Sequence, residues 1–245
     1  MNARLAGLVL ALLSLAAPAR AETAAETARA LVARYHQDPA VIDRARDVLE
    51  TALARDSQVE TMIMLSYVCF LQGDTRATTA ETKLAAYARG REVGQRAIKL
   101  APRNHDAHVW YAINTGRWGQ TKGVMRSLFL LPTVRQEIDT IFALNPRSVR
   151  GHSLAGNVLL EIPGFVGGDR AKAEEHFRKG LEVDAHFTVL RLDLARVHIL
   201  NGRYAEARRE IQRVLDEPSP TIIADWTAKD VPRARRMLES IRDKT

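Results

Sequence analysis

Beyond Glu22 the apolar residues fall three or four positions apart, and the alternation that marks a β-strand is nearly absent. Helices are therefore predicted almost throughout. The first two cover residues near 24–36 and 39–55. The second opens on Asp38-Pro39, an N-cap residue followed by proline at the first helical position. Its buried stripe reads Ala45, Leu49, Ala52, and the same stripe recurs as Ala173, Phe177, Gly180 and as Ala207, Ile211, Val214. A second class of helix precedes these stripes. Its members carry Leu65-Ser66 with Cys69, Trp110 with Ile113, Asn114 and Arg117, Leu154-Ala155 with Val158, and Leu194-Ala195 with His198. The chain reads as four to five helix pairs. A last helix begins near Asp230 with Val231-Pro232 in its first turn, and its charges (Arg233, Arg235, Arg236, Glu239, Arg242, Asp243) suit a solvent-facing cap.

Four units close on similar residues: Lys99-Leu100-Ala101-Pro102, Ala143-Leu144-Asn145-Pro146, Val183-Asp184-Ala185 and Glu217-Pro218-Ser219. With Pro102, Pro146, Ala185 and Ser219 taken as equivalent, the spacings are 44, 39 and 34. Two insertions stretch the earlier units, one between Gly116 and Pro132 and one over Ile162–Asp169. Both are read as loops longer than a repeat needs, which either carry binding residues or pack over helix ends.

A 34-residue spacing, small residues in the second helices and matching first helices together resemble the tetratricopeptide repeat over the whole of residues 22–245. That resemblance implies an all-α solenoid of antiparallel helix pairs with a C-terminal capping helix, offering a concave surface to a protein or peptide partner. His108-Val109-Trp110-Tyr111-Ala112, Ile138 to Pro146, and Gly151-His152-Ser153-Leu154-Ala155-Gly156 resemble the regulator of microtubule dynamics family. Pro163 to Ala173, with its Gly-Gly-Asp loop and following helix, resembles the T component of TRAP transporters. The latter resemblance implies a periplasmic transporter accessory that associates with a substrate-binding protein and encloses a small anionic ligand.

The N-terminus sets an expected compartment. Asn2 and Arg4 precede an apolar run from Leu5 to Ala17, and Ala19-Arg20-Ala21 follows as a cleavage signal. Thirteen residues are too few to span a bilayer comfortably, so residues 1–21 read as a cleaved signal peptide and the protein as periplasmic. No further run is apolar enough to be transmembrane. Cys69 is the single cysteine, which excludes an intrachain disulfide, and its apolar setting predicts a small buried hydrophobe.

Charge adds one feature. The chain carries +7, and loss of Arg4 and Arg20 leaves +5. Between Lys83 and Arg126 nine basic residues meet only Glu92 and Asp106, with Trp110, Tyr111 and Trp118 among them. Export argues against nucleic acid, so an acidic protein partner, a small anion or anionic lipid is expected, the other reading being a solvated surface. Asn114 and Arg117 occupy positions where the repeat wants a small residue and an apolar ring. Such a buried Arg must be paired, solvated or facing a ligand, unless the following insertion shifts the register and leaves both on the surface. The candidate ligand-binding residues are therefore Trp110, Tyr111, Asn114, Arg117, Trp118 and His152.

Catalytic and cofactor chemistry is not signalled. His105-x2-His108 lacks a third ligand fixed nearby, so no metal site is expected. Gly164 to Lys172 lacks the ending of a phosphate-binding loop, and neither a nucleophile elbow nor a dinucleotide fingerprint occurs. The expected protein is a non-enzymatic scaffold without cofactor.

Overall fold

The structure is a computed structural model that describes residues 22–245; the signal peptide read at residues 1–21 lies outside the described residues. Among the described residues there are helices and no strands. Five helix pairs follow in order: α1 (Ala24–Val32) with α2 (Val41–Arg55), α3 (Val59–Leu71) with α4 (Ala80–Leu100), α5 (His105–Lys122) with α6 (Val124–Leu144), α7 (Val149–Glu161) with α8 (Arg170–Val183), and α9 (Thr188–Leu200) with α10 (Tyr204–Leu215). A short α11 (Ile223–Asp225) and α12 (Val231–Ser240) complete the solenoid. None of the described helices is long and apolar enough to cross a membrane.

Side-chain caps set many helix starts. Thr23 and Glu26 form a capping box, and Asn104, Ser148 and Asp169 accept from backbone amides of α5, α7 and α8. The Asp38-Pro39 start is displaced: Asp38 instead accepts from the Ala40 amide at 3.0 Å, and α2 begins at Val41. The repeat stripes are buried as read except at Ala52, which is half-buried while its neighbour Leu53 completes the buried face with Ala45 and Leu49. Ala173, Phe177, Ala207, Ile211 and Val214 have no exposed surface. Small residues let helices meet closely: a Cβ built at Gly156 would lie 2.3 Å from the Phe177 ring. Cys69 is wholly buried, and burial pushes its thiol up to about 12.

The two insertions differ. Residues 116–132 are not a loop. α5 runs on to Lys122, and Gly123 reverses the chain at φ 108, a backbone conformation that glycine alone takes readily. α6 then starts at once and carries Pro132 inside it. Gly119 lets α6 approach, since its Cβ would meet Leu130 and Ser127 at 3.3 Å. Residues 162–169 do form a loop, with a short 3-10 turn at Gly164–Val166, held to α6 where Arg135 donates to the Val166 carbonyl at 2.7 Å.

The solenoid closes on itself. Tyr35, just beyond α1, donates its hydroxyl to Asp225 of α11 at 2.5 Å, and Lys229 reaches Asp74 at 3.0 Å. Ala224 is buried in the same apolar cluster as Ala28, Leu65 and Ala107. The C-terminal segment thereby folds back onto the first two helix pairs and closes one side of a concave space.

Candidate functional site

That space is a cavity of about 620 Å3, lined chiefly by the first helices of the second to fifth pairs. Helical periodicity explains which residues reach it. Tyr67 and Phe70 come from α3; Trp110, Ile113, Arg117 and Gln120 from α5; Arg150, Leu154, Asn157 and Glu161 from α7; Asp193 and Arg196 from α9. These are residues three or four apart on single helix faces. The C-terminal segment closes the wall with Asp225, Lys229, Asp230, Arg233 and Arg236. The aromatic floor is continuous: Trp110 lies 4.4 Å from Tyr67 and 5.7 Å from Phe70 between ring centroids.

Two widened helical turns aim charges into the cavity. Asp74 belongs to the π-helical turn Gln72–Arg76, and Lys229 and Asp230 to the π-helical turn Trp226–Asp230. Such turns recur at functional sites because the extra residue redirects side chains. Asp74 pairs with Lys229 and with Arg117, each at 3.0 Å. Burial raises the Asp74 carboxyl, but Lys229 and Arg117 outweigh it and hold the group below its ordinary value. Burial likewise works against the Lys229 ammonium, and Asp225 with Asp74 overcomes it, leaving that pKa raised. Asp230 is different. It is 3% exposed and accepts from the Thr188 hydroxyl at 2.7 Å, yet burial pushes its carboxyl up to about 6.

Most cavity charges are thus neutralised in place: Arg233 by Asp193 at 2.8 Å, and Arg196 by Glu161. Arg150 and Arg236 are exceptions. Among the described residues neither forms an ion pair or a hydrogen bond. Arg150 instead lies over Trp110 at 5.3 Å and over Phe187 at 5.7 Å. A cation stacked on two rings and bonded to no carboxylate, with Asp106 acting on it only through space, is set up to receive an anion while apolar surface is buried beside it.

The six residues picked from the sequence do not form one site. Trp110 and Arg117 line the cavity. Asn114 is fully buried between helices, its amide donating to the carbonyls of Ser66 and Trp110 at 2.9 Å each. Tyr111 packs against Gly94 of α4. Trp118 faces a different direction, among Arg91, Lys122 and Arg126. His152 is 3.1 Å from His176 between Nδ1 atoms, beside Phe142. Burial and His176 lower the His152 pKa to about 4. His105 contacts Ser148 and Asp106, and His108 contacts Glu137 and the Pro102 carbonyl, so that spacing serves helix packing. Among the described residues no cluster of His, Cys, Asp or Glu is suited to a metal.

Of the C-terminal charges that read as a solvent-facing cap, Arg235, Arg236, Glu239, Arg242 and Asp243 are exposed, Arg236 at the cavity rim, whereas Arg233 is half-buried and paired with Asp193 at the cavity wall. Arg233, Arg236 and Arg150 carried no local signal for the cavity, since its lining is assembled from four helix pairs and the C-terminal segment.

Comparison with known proteins fits this architecture. The family described as Regulator of microtubule dynamics protein 1-3 matches residues 25–162, and one described as tetratricopeptide repeat matches residues 167–219. Regulator of microtubule dynamics protein 3 of Rattus norvegicus is 28% identical over 89 residues, which cover 36% of this chain and 19% of the rat protein. The match thus spans about a fifth of that relative's length. A thermophilic TPR protein of Thermus thermophilus is similar in structure at a TM-score of 0.66 and 18% identity, over 89% of this chain and 99% of that one. The pilF protein of Pseudomonas aeruginosa is similar at 0.52 and 17% identity, over 89% and 90%. Both structures show the fold alone.

Proposed function

Because the chain belongs to the regulator of microtubule dynamics protein 1-3 family and carries a tetratricopeptide-repeat scaffold, we propose that it is a non-enzymatic binding protein, exported after cleavage at Ala21, which holds a cell-envelope partner in its concave cavity. The preferred ligand segment is a partner peptide with an acidic group beside an apolar or aromatic side chain. The observation that supports this reading is Arg150, stacked on Trp110 and Phe187 and bonded to no carboxylate inside a cavity whose other charges are largely paired.

The test is capture of the partner from an envelope fraction, followed by titration against wild type, Arg150→Ala and Trp110→Ala. A charge-assisted bond to a carboxylate contributes about 1.5–3 kcal/mol, so Arg150→Ala is expected to weaken binding by roughly 10-fold to 100-fold. Unchanged affinity in both variants overturns the cavity as the binding site. N-terminal sequencing of envelope-fraction protein is expected to begin at Glu22; an intact Met1 in the cytoplasm refutes export.

A second reading, a small amphipathic anion held for a transporter, is favoured by the cavity size alone: about 620 Å3 falls within the range of small-molecule sites. Native mass spectrometry of the purified protein separates the two readings, since only the second expects a bound mass of a few hundred daltons.

A further inference from the structure

The α5–α6 tip presents a surface that folding does not explain. Three of the seven large apolar side chains exposed among the described residues fall within six positions there: Val124 at 70%, Met125 at 81% and Phe129 at 72%. α6 already buries Leu131 and Val134 on its inner face, and Leu130 lies against Gly119. The outward residues Met125, Phe129 and Pro132 stand four and three positions apart, on one exposed helix face. No described element covers them.

The charges around this patch have one sign. No acidic residue occurs between Asp106 and Glu137. Arg91, Lys122 and Arg126 surround the Trp118 ring at 4.9, 5.6 and 5.8 Å, and Arg126 also lies 5.4 Å from the Phe129 ring. None of these three cations pairs with a carboxylate among the described residues. Beneath the patch, Gly123 joins the two helices as a one-residue reversal.

We propose that the α5–α6 tip docks on an anionic lipid surface, with Met125 and Phe129 entering the acyl boundary and Arg91, Lys122 and Arg126 meeting the headgroups. Charge complementarity selects this occupant. A lipid interface offers dense negative charge directly above apolar chains, which matches cations flanking protruding apolar side chains. Tryptophan with basic neighbours is the combination that favours headgroup level. The surface is separate from the cavity, and its occupation does not depend on the cavity ligand.

A local probe tests this in the full chain. Cys69 is wholly buried, so a thiol-reactive, environment-sensitive fluorophore on Met125→Cys reports from the tip alone and ignores any membrane contact of residues 1–21. Vesicles of phosphatidylcholine with phosphatidylserine are expected to brighten and blue-shift its emission, while phosphatidylcholine alone leaves it unchanged. The same fluorophore on Leu200→Cys is expected to stay silent on both. Adding Lys122→Gln and Arg126→Gln is expected to weaken the anionic response by roughly 30-fold, about fivefold per basic residue near such a surface. Melting curves confirm that each variant is folded, and Phe129→Cys provides a second labelling site. A silent probe on anionic vesicles, an equal response to neutral vesicles, or an unchanged response in the Gln pair overturns the proposal. So does emission that rises with protein concentration without lipid, which identifies a second copy of the chain as the occupant.

Discussion

Replacing Asp230 with Asn is expected to stabilise the protein near neutral pH and to do nothing near pH 4. Asp230 is 3% exposed, and its carboxyl sits at about 6 against an ordinary 3.8, with burial the largest cause. A carboxylate with a raised folded pKa opposes folding once it is ionised. Below about pH 4 both folded and unfolded chains hold the proton, so the group contributes nothing. As pH rises from about 4 to 6 the unfolded chain releases its proton first, which favours unfolding. Above about 6 the penalty is complete. Two pH units at about 1.36 kcal/mol each give about 3 kcal/mol. Asn keeps an oxygen for the Thr188 hydroxyl, whose bond to Asp230 spans 2.7 Å. Denaturant titrations of wild type and Asp230→Asn near pH 4 and near pH 7.5 measure the difference. The expected gain is up to about 3 kcal/mol at the higher pH and close to none at the lower. A loss of stability at the higher pH refutes the reasoning. It means that Lys229 and Arg233 stabilise an ionised Asp230 more than burial opposes it.

Three further outcomes follow from the packing. Ala173→Leu and Ala207→Leu each insert bulk at a site with no exposed surface, and denaturant melts are expected to show a loss of about 1–3 kcal/mol with cavity binding retained. Gly90→Ala places a Cβ 2.5 Å from the Asn114 amide, which is pinned by bonds to Ser66 and Trp110; melts are expected to show destabilisation, although Ala is the better helix former by about 1 kcal/mol. His152 has its pKa lowered to about 4, so its contribution to stability is complete above about pH 6.5 and is lost as pH falls from there towards 4. His152→Phe is expected to flatten the stability profile across that window, as measured by denaturant titration against pH.

Helix pairing was readable because it depends on spacing along one helix. Ala173, Phe177 and Gly180 advertise a close helix contact within eight residues, and that contact is where the pattern puts it. The Gly116–Pro132 segment misled for a physical reason. Proline and three glycines look like a loop, yet Pro132 sits on an exposed face where its lost amide bond is tolerated, Gly119 serves close packing, and Gly123 alone makes the turn. Asn114 broke the repeat's rule and is a packing residue, while Arg117, one turn further on, is paired with Asp74 at the cavity wall. Nothing in a single sequence separates those two outcomes, because the partners Ser66 and Asp74 lie 48 and 43 positions away. Arg150 was missed for the converse reason. Its neighbours Trp110 and Phe187 belong to other helix pairs, and only the assembled array brings them over one guanidinium.

Closure changes what the repeat architecture implies. In an open solenoid each unit answers only to its neighbours, and stability is nearly a sum of local terms. Here Tyr35 bonds to Asp225 across 190 positions, and Asp74 to Lys229 across 155. The terminal helices therefore share the fate of the first pair. A ligand that touches Arg117 on α5 and Arg236 on α12 also bridges the closure, so it draws the whole array towards the closed state by mass action. A surface that meets only the α5–α6 tip exerts no such pull. Both surfaces begin on adjacent residues of one helix. Arg117 and Trp118 are separated by about 100° around α5, and that rotation puts the first on the cavity wall and the second among the outer cations. A cavity ligand and an outer surface, as proposed, would therefore meet different sides of one helix, and occupation of both would require no segment to move.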